Sequence, residues 1–160
     1  MTFAETELAY DSVTPGNLPE GSGRYFGYVN GKFANYIAVK SRFPHALVMG
    51  IDVNGTEPLA ARIVDYEKGD VQAAGTLRSF VEAREKYRPH SATVYCDRAN
   101  LDAVEDELEG LWHVLWVSTL DGTKLAGTRT PKGNLIVATQ YAGGETALFD
   151  TSETLASWGR

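Results

Sequence analysis

The stretch ARIVDYEKGDVQAAGTLRSFVEAREKYRPHSATVYC, residues 61–96, decides the fold class. It opens on a run rich in aliphatic and aromatic residues (61–66), which reads as a strand. The polar turn Glu67-Lys68-Gly69-Asp70 closes that run. Val71, Ala74, Leu77, Val81 and Arg84 then share one face at helical spacing, with Asp70 placed to cap the N-terminus and Pro89 just past the end. A second apolar run (92–96) completes a strand–helix–strand unit.

Working outward, the same pattern continues. Further short runs rich in Val, Ile, Tyr and Leu predict strands over 8–10, 25–29, 46–53, 114–117, 135–140 and 147–149. Asn30-Gly31 and Asn54-Gly55 are strong turn signals behind two of them. Leu101, Val104, Leu108 and Leu111 line one face of a second helix, with Asn100 as its cap and Asp102 in the first turn, where the helix dipole favours an acid. Further helices are expected over 35–42 and 152–158. The runs 46–49 and 135–138 do not alternate, as expected of parallel strands covered on both faces. The fold class is therefore α/β. Periodicity alone leaves a closed barrel and an open doubly wound sheet both open.

Composition bounds the function. The chain has 160 residues, the size of one domain (1–160), with 43% hydrophobic and 22% charged residues. Its net charge of -6 argues against a non-specific nucleic-acid binder and against an anionic-membrane binder, both of which need a basic face. The single cysteine, Cys96, excludes an internal disulfide and reads as a buried thiol. No apolar run is long enough for a membrane helix. Residues 1–10 carry Glu5 and Glu7 but no basic cluster and no apolar core, so no signal peptide is expected. A complete barrel of eight strand–helix units takes about 250 residues, so a barrel here must have lost most of its helices.

The informative residues are acids at strand ends: Asp11, Asp52, Asp65, Glu67 and Asp150. In parallel α/β folds ligands bind at the C-terminal edge of the sheet. Asp65 and Glu67, two apart on a strand, point to one face, and mutual repulsion raises the pKa of one member of such a pair. That suits a general acid beside an ionised partner. The plainer alternative is that such acids anchor turns or cap helices; Asp70 fits this well, Asp52 fits it moderately, and Asp65 and Glu67 are harder to dismiss. No cofactor is implied. Gly21-x-Gly23 precedes a strand instead of joining strand to helix, no phosphate loop is present, and His45, His90 and His113 lack metal-ligand spacing.

Taken in order, Tyr10-Asp11-Ser12, Val64-Asp65-Tyr66-Glu67, Leu115-Trp116-Val117, Gln140-Tyr141 and Phe149-Asp150 resemble glycoside hydrolase family 25, the muramidases. They also resemble the related glycoside-hydrolase-like barrels of actinobacteria and their phages, domain-of-unknown-function family 1906. The resemblance implies a reduced TIM-like barrel of about eight strands with few helices, mainly around the middle of the chain. It implies hydrolysis of the β-1,4 bond of N-acetylmuramyl glycans with retention, with Glu67 as general acid and Asp65 as the carboxylate that stabilises charge or orients an acetamido group. Asp11 and Asp150 would shape an acidic cleft floor. Tyr66, Trp116, Gln140, Tyr141 and Asp52 would contact the glycan. The implied partner is a cell-wall glycan, with phage structural proteins as a second class of partner, and the location is the cytoplasm or, for a phage-encoded chain, the virion or release at lysis.

Thr139, Ser152 and Gly50-Ile51-Asp52-Val53 stand where the family carries other residues. These positions suit an alternative of a different class, a non-catalytic wall-binding or structural barrel such as a virion component. An open, flavodoxin-like nucleotide binder is the weakest alternative, for want of a phosphate loop.

Overall fold

The computed structural model describes residues 4–67 and 75–160. Its core is a closed barrel of eight strands in chain order: β1 (Thr6–Asp11), β2 (Arg24–Tyr28), β3 (Leu47–Asp52), β4 (Ile63–Tyr66), β5 (Thr93–Asp97), β6 (Val114–Ser118), β7 (Ile136–Ala142) and β8 (Asp150–Leu155). Strands β1 to β7 run parallel, each hydrogen-bonded to the next. Strand β8 runs antiparallel to both β7 and β1 and closes the barrel. Closure satisfies both edges, which would otherwise expose unpaired backbone groups.

Two of the expected C-terminal elements need correction. Residues 147–149 are not a strand, and 152–158 are not a helix: β8 occupies Asp150–Leu155, and only a turn follows. The helix expected over 152–158 does not form. It loses to two complete backbone ladders, one along β1 from Thr6↔Leu155 to Asp11↔Asp150 and one along β7.

Three α-helices are present among the described residues: α1 (Tyr36–Arg42), α2 (Thr76–Tyr87) and α3 (Leu101–Glu107). Helix α1 packs on β2 and β3, α2 on β4, and α3 on β5, so they cover only a portion of the barrel. Leu77, Val81 and Arg84 of α2 are buried as their spacing predicts, whereas Asp70, Val71 and Ala74 lie outside the described residues. The Asn100 side chain does not cap α3. Asp97 instead caps the short 3-10 turn Arg98–Asn100 that leads into α3, accepting a hydrogen bond from the Asn100 amide at 2.8 Å.

Strand alternation sorts the side chains into an inner and an outer core. Outward-facing Val64, Val94, Cys96, Leu115 and Val117 pack beneath Leu77, Phe80 and Val81 of α2 and Val104 of α3. Inward-facing Phe26, Ile51, Ile63, Tyr95 and Trp116 fill the barrel. Trp158 seals the end at which the parallel strands begin, its Nε1 donating to Thr93 Oγ1 at 3.2 Å. Gly27 allows α1 to approach β2, since a Cβ there would lie 2.7 Å from the Tyr36 Cα. Trp158 thus plugs the barrel interior at one end, and the rim where the parallel strands end lies at the other. No described helix is long and apolar enough to cross a membrane.

Candidate functional site

A cavity of about 570 Å³ opens at the rim where the parallel strands end. Its acidic lining includes Asp11, Asp65, Glu67 and Asp150. Strand direction explains why residues so distant in sequence meet. Asp11 is the last residue of β1, Asp65 lies near the end of β4, and Glu67 directly follows β4. Asp150 begins β8 instead of ending a strand, but β8 is antiparallel, so its start lies on that same rim. The register pairs Asp11 directly with Asp150, and residues so opposed share a face of the sheet.

Asp11 is strongly perturbed. It is 3% exposed, and its Oδ2 accepts a hydrogen bond from Tyr28 Oη at 3.0 Å. Its Oδ1 is buried with no hydrogen-bond partner among the described residues. Burial, the Asp150 charge and the Glu67 charge raise its pKa from 3.8 to about 8, against the Tyr28 hydrogen bond, which favours the ionised form. Asp11 is therefore mostly a neutral acid at pH 7. Burial also raises the pKa of Asp150, held back by hydrogen bonds from the Gly144 amide, at 2.7 Å, and from Gln140. The floor thus holds at least one acid, Asp11, that keeps its proton near neutral pH.

Tyr28 and Tyr95 complete the polar floor. The Tyr95 hydroxyl donates to Gln140 Oε1 at 2.7 Å, and burial together with nearby carboxylates raises both phenols, so they remain donors. Trp116 lies under the cavity at 1% exposure, stacked on Phe26 at 4.3 Å between ring centroids, with its Nε1 donating to Ser152 Oγ at 3.1 Å. It is packed floor, with little ring face to offer.

The other expected contacts fall elsewhere. Gln140 lines the cavity, but Tyr66, Tyr141 and Asp52 do not. Tyr66 points outward, as alternation demands beside inward Asp65, and packs on the outer core under α2 and α3. Tyr141 lies beneath the Lys124 ammonium, 4.8 Å from its ring centroid. Asp52 is fully buried, and its carboxylate accepts hydrogen bonds from Asn30 Nδ2 (2.7 Å) and from the amides of Asn54 (2.9 Å), Gly55 (2.8 Å) and Glu57 (2.6 Å). Its role is to fix the loop after β3.

The mouth is apolar. Val13, Phe33, Leu120 and Leu148, from four different loops, line it while remaining 49%, 50%, 48% and 67% exposed. Exposed apolar side chains around a polar floor mark ligand sites more often than bare surface. Ser12 ties this rim together, its hydroxyl donating to the Leu148 carbonyl at 2.7 Å. Sequence reading missed Tyr28, Tyr95 and the four rim residues. Alternation from Phe26 would have turned Tyr28 inward, but nothing local distinguishes an apolar loop residue at the rim. Among the described residues, no group of three or more His, Cys, Asp and Glu side chains is arranged to hold a metal ion.

No family model matches the chain, and no curated protein matches it. A solved structure similar to it is the 1.07 Å crystal structure of an uncharacterized B. stearothermophilus protein. The two are 14% identical, with 80% of this chain and 82% of that one covered, at a TM-score of 0.48.

Proposed function

We propose that the chain is a peptidoglycan-directed glycoside hydrolase of the muramidase type, built on a reduced TIM-like barrel. The observation that carries this reading is the convergence of Asp11, Asp65, Glu67 and Asp150 in one cavity at one rim, with Asp11 held mostly neutral there. Hydrolysis of a glycosidic bond needs an acid to protonate the leaving oxygen and a carboxylate to stabilise the oxocarbenium-like transition state. Glu67, just beyond β4 and half-buried, protonates that oxygen. Buried Asp65, on the same face, stabilises the developing positive charge. Neutral Asp11 gives the floor a hydrogen-bond donor, so that it is not a purely anionic surface repelling the polar face of a sugar. Phe33 at the mouth offers an exposed ring for the apolar face of a sugar. The test is incubation with purified bacterial cell walls: new reducing ends support the reading, and walls left intact oppose it.

A second reading, a non-catalytic wall-binding or virion barrel, is favoured by one observation. Tyr66, Tyr141 and Trp116 present no open aromatic platform to the cavity. Sedimentation with walls, with no reducing ends released, would select it.

A further inference from the structure

At the opposite end of the barrel, where the parallel strands begin, lies a second cavity of about 350 Å³ whose chemistry is the reverse of the first. Its lining includes Arg62, Arg88, Arg160, His90, Trp112 and Trp158, and no acid. In a chain of net charge -6, this concentration of guanidinium groups is against the general trend.

The nearby acids are already engaged. Glu7 pairs with Arg24 at 2.6 Å and with Arg160 at 3.1 Å. Glu85 accepts hydrogen bonds from the amides of His90, Ser91 and Ala92 at 2.6, 3.0 and 2.8 Å. Arg62 is half-buried, and neither it nor Arg88 has a salt bridge or a side-chain hydrogen bond among the described residues. Burial, together with the like charges of Arg84, Arg88 and Arg24, disfavours the charged form of Arg62. A half-buried guanidinium with no ion-pair partner among the described residues and like charges beside it is a costly arrangement, which a bound anion would relieve.

The walls add shape. Glu85 holds the turn after α2 so that His90 adopts a left-handed backbone, φ 59°, uncommon for a residue with a side chain. This sets the His90 ring 5.0 Å from the Trp112 ring, and Trp112 is 41% exposed at the edge of the cavity. Two guanidinium forks match the several oxygens of a phosphate better than the two of a carboxylate, and an exposed indole beside them suits a ring.

We infer that this cavity binds a phosphate monoester carried on a ring, with the phosphate on Arg62 and Arg88 and the ring against Trp112. The site is separate from the acidic cavity and does not depend on its activity. The ring belongs either to a sugar or to an aromatic group, and the two sources are separable with glucose 6-phosphate and phenyl phosphate as probes, next to inorganic phosphate.

The experiment is a titration of the full chain at low salt with each of these three probes, followed through the Trp112 indole and His90 amide resonances. The expected result is saturable binding at about millimolar concentration or tighter, with at least one ring phosphate about tenfold tighter than inorganic phosphate. Arg88→Ala, at an exposed position, should weaken all three about tenfold, whereas Trp112→Ala should remove only the advantage of the ring. Both variants should melt close to the parent, which separates lost binding from lost folding. No saturation with any probe, equal affinity for inorganic and ring phosphates, or affinities unchanged in Arg88→Ala would overturn the inference.

Discussion

Asp11 and Asp150 stand directly opposite each other across the β1–β8 pair, at the rim where the barrel opens. They are brought together because β8 alone runs against the other strands, so that the first residue of β8 meets the last residue of β1. Their mutual repulsion, added to burial, keeps Asp11 in its acid form at neutral pH.

This relationship makes stability depend on pH with a definite sign. The folded pKa of Asp11 is raised, so the native state holds its proton more tightly than the unfolded chain does. Its contribution is full below pH 3.8 and is lost as the pH rises through about 8. Asn mimics the neutral acid and carries no such penalty. Thermal melts between pH 4 and pH 9 should therefore show the wild type losing stability relative to Asp11→Asn as the pH rises; a constant difference would contradict the shift.

The loop over Asp150 has little room to spare. Gly143 has φ 126°, and a Cβ there would overlap the Asp150 carboxylate, which accepts the Gly144 amide at 2.7 Å. Gly143→Ala should cost about 1–3 kcal/mol in denaturant unfolding through backbone strain and displacement of Asp150. An unperturbed variant would mean that this loop does not hold the floor.

Asp52 separates structural from functional acids. Its carboxylate serves three backbone amides and the Asn30 side chain, and it does not line the cavity. Asp52→Ala should lower unfolding free energy by about 3 kcal/mol through stranded buried donors. At a temperature where the variant remains folded, wall hydrolysis should persist.

Cys96 is fully buried beneath α2 and α3, and burial pushes its thiol up to about 12. Native protein should therefore resist alkylation by iodoacetamide at pH 8, and unfolded protein should react fully. Rapid native labelling would contradict the packing of the outer core.

What could be read from the sequence follows from how strongly each element is marked locally. Strands β1 to β7 are legible because Val, Ile, Leu and aromatic residues mark them, and α2 is legible from Leu77, Val81 and Arg84. Strand β8 is not. Its buried positions include Ser152 and Thr154, both fully covered, where Ser152 receives the Trp116 indole and Thr154 donates to the Glu7 carbonyl. A search for apolar runs passes over a strand whose buried positions are hydroxyls satisfied by distant partners. Periodicity alone leaves barrel closure open for the same reason, since it rests on the pairing of Thr6 with Leu155 at opposite ends of the chain, whereas the family resemblance implies a barrel. The pairing of Asp65 with Glu67 was legible from a spacing of two on one strand. The outward turn of Tyr66 followed from that same alternation, whereas the apolar mouth around Phe33 and Leu148 depends on loops that only the closed barrel brings together.

The most direct test of the proposed chemistry is release of reducing ends from purified cell walls by the wild type and by Glu67→Gln, with melting temperatures measured alongside. Gln keeps the size of the side chain and removes the proton donor, so the rate should fall about a hundredfold or more while the melting temperature stays within a few degrees. Glycan hydrolysis that survives Glu67→Gln, or a wild type that binds walls and releases no reducing ends, would contradict the account.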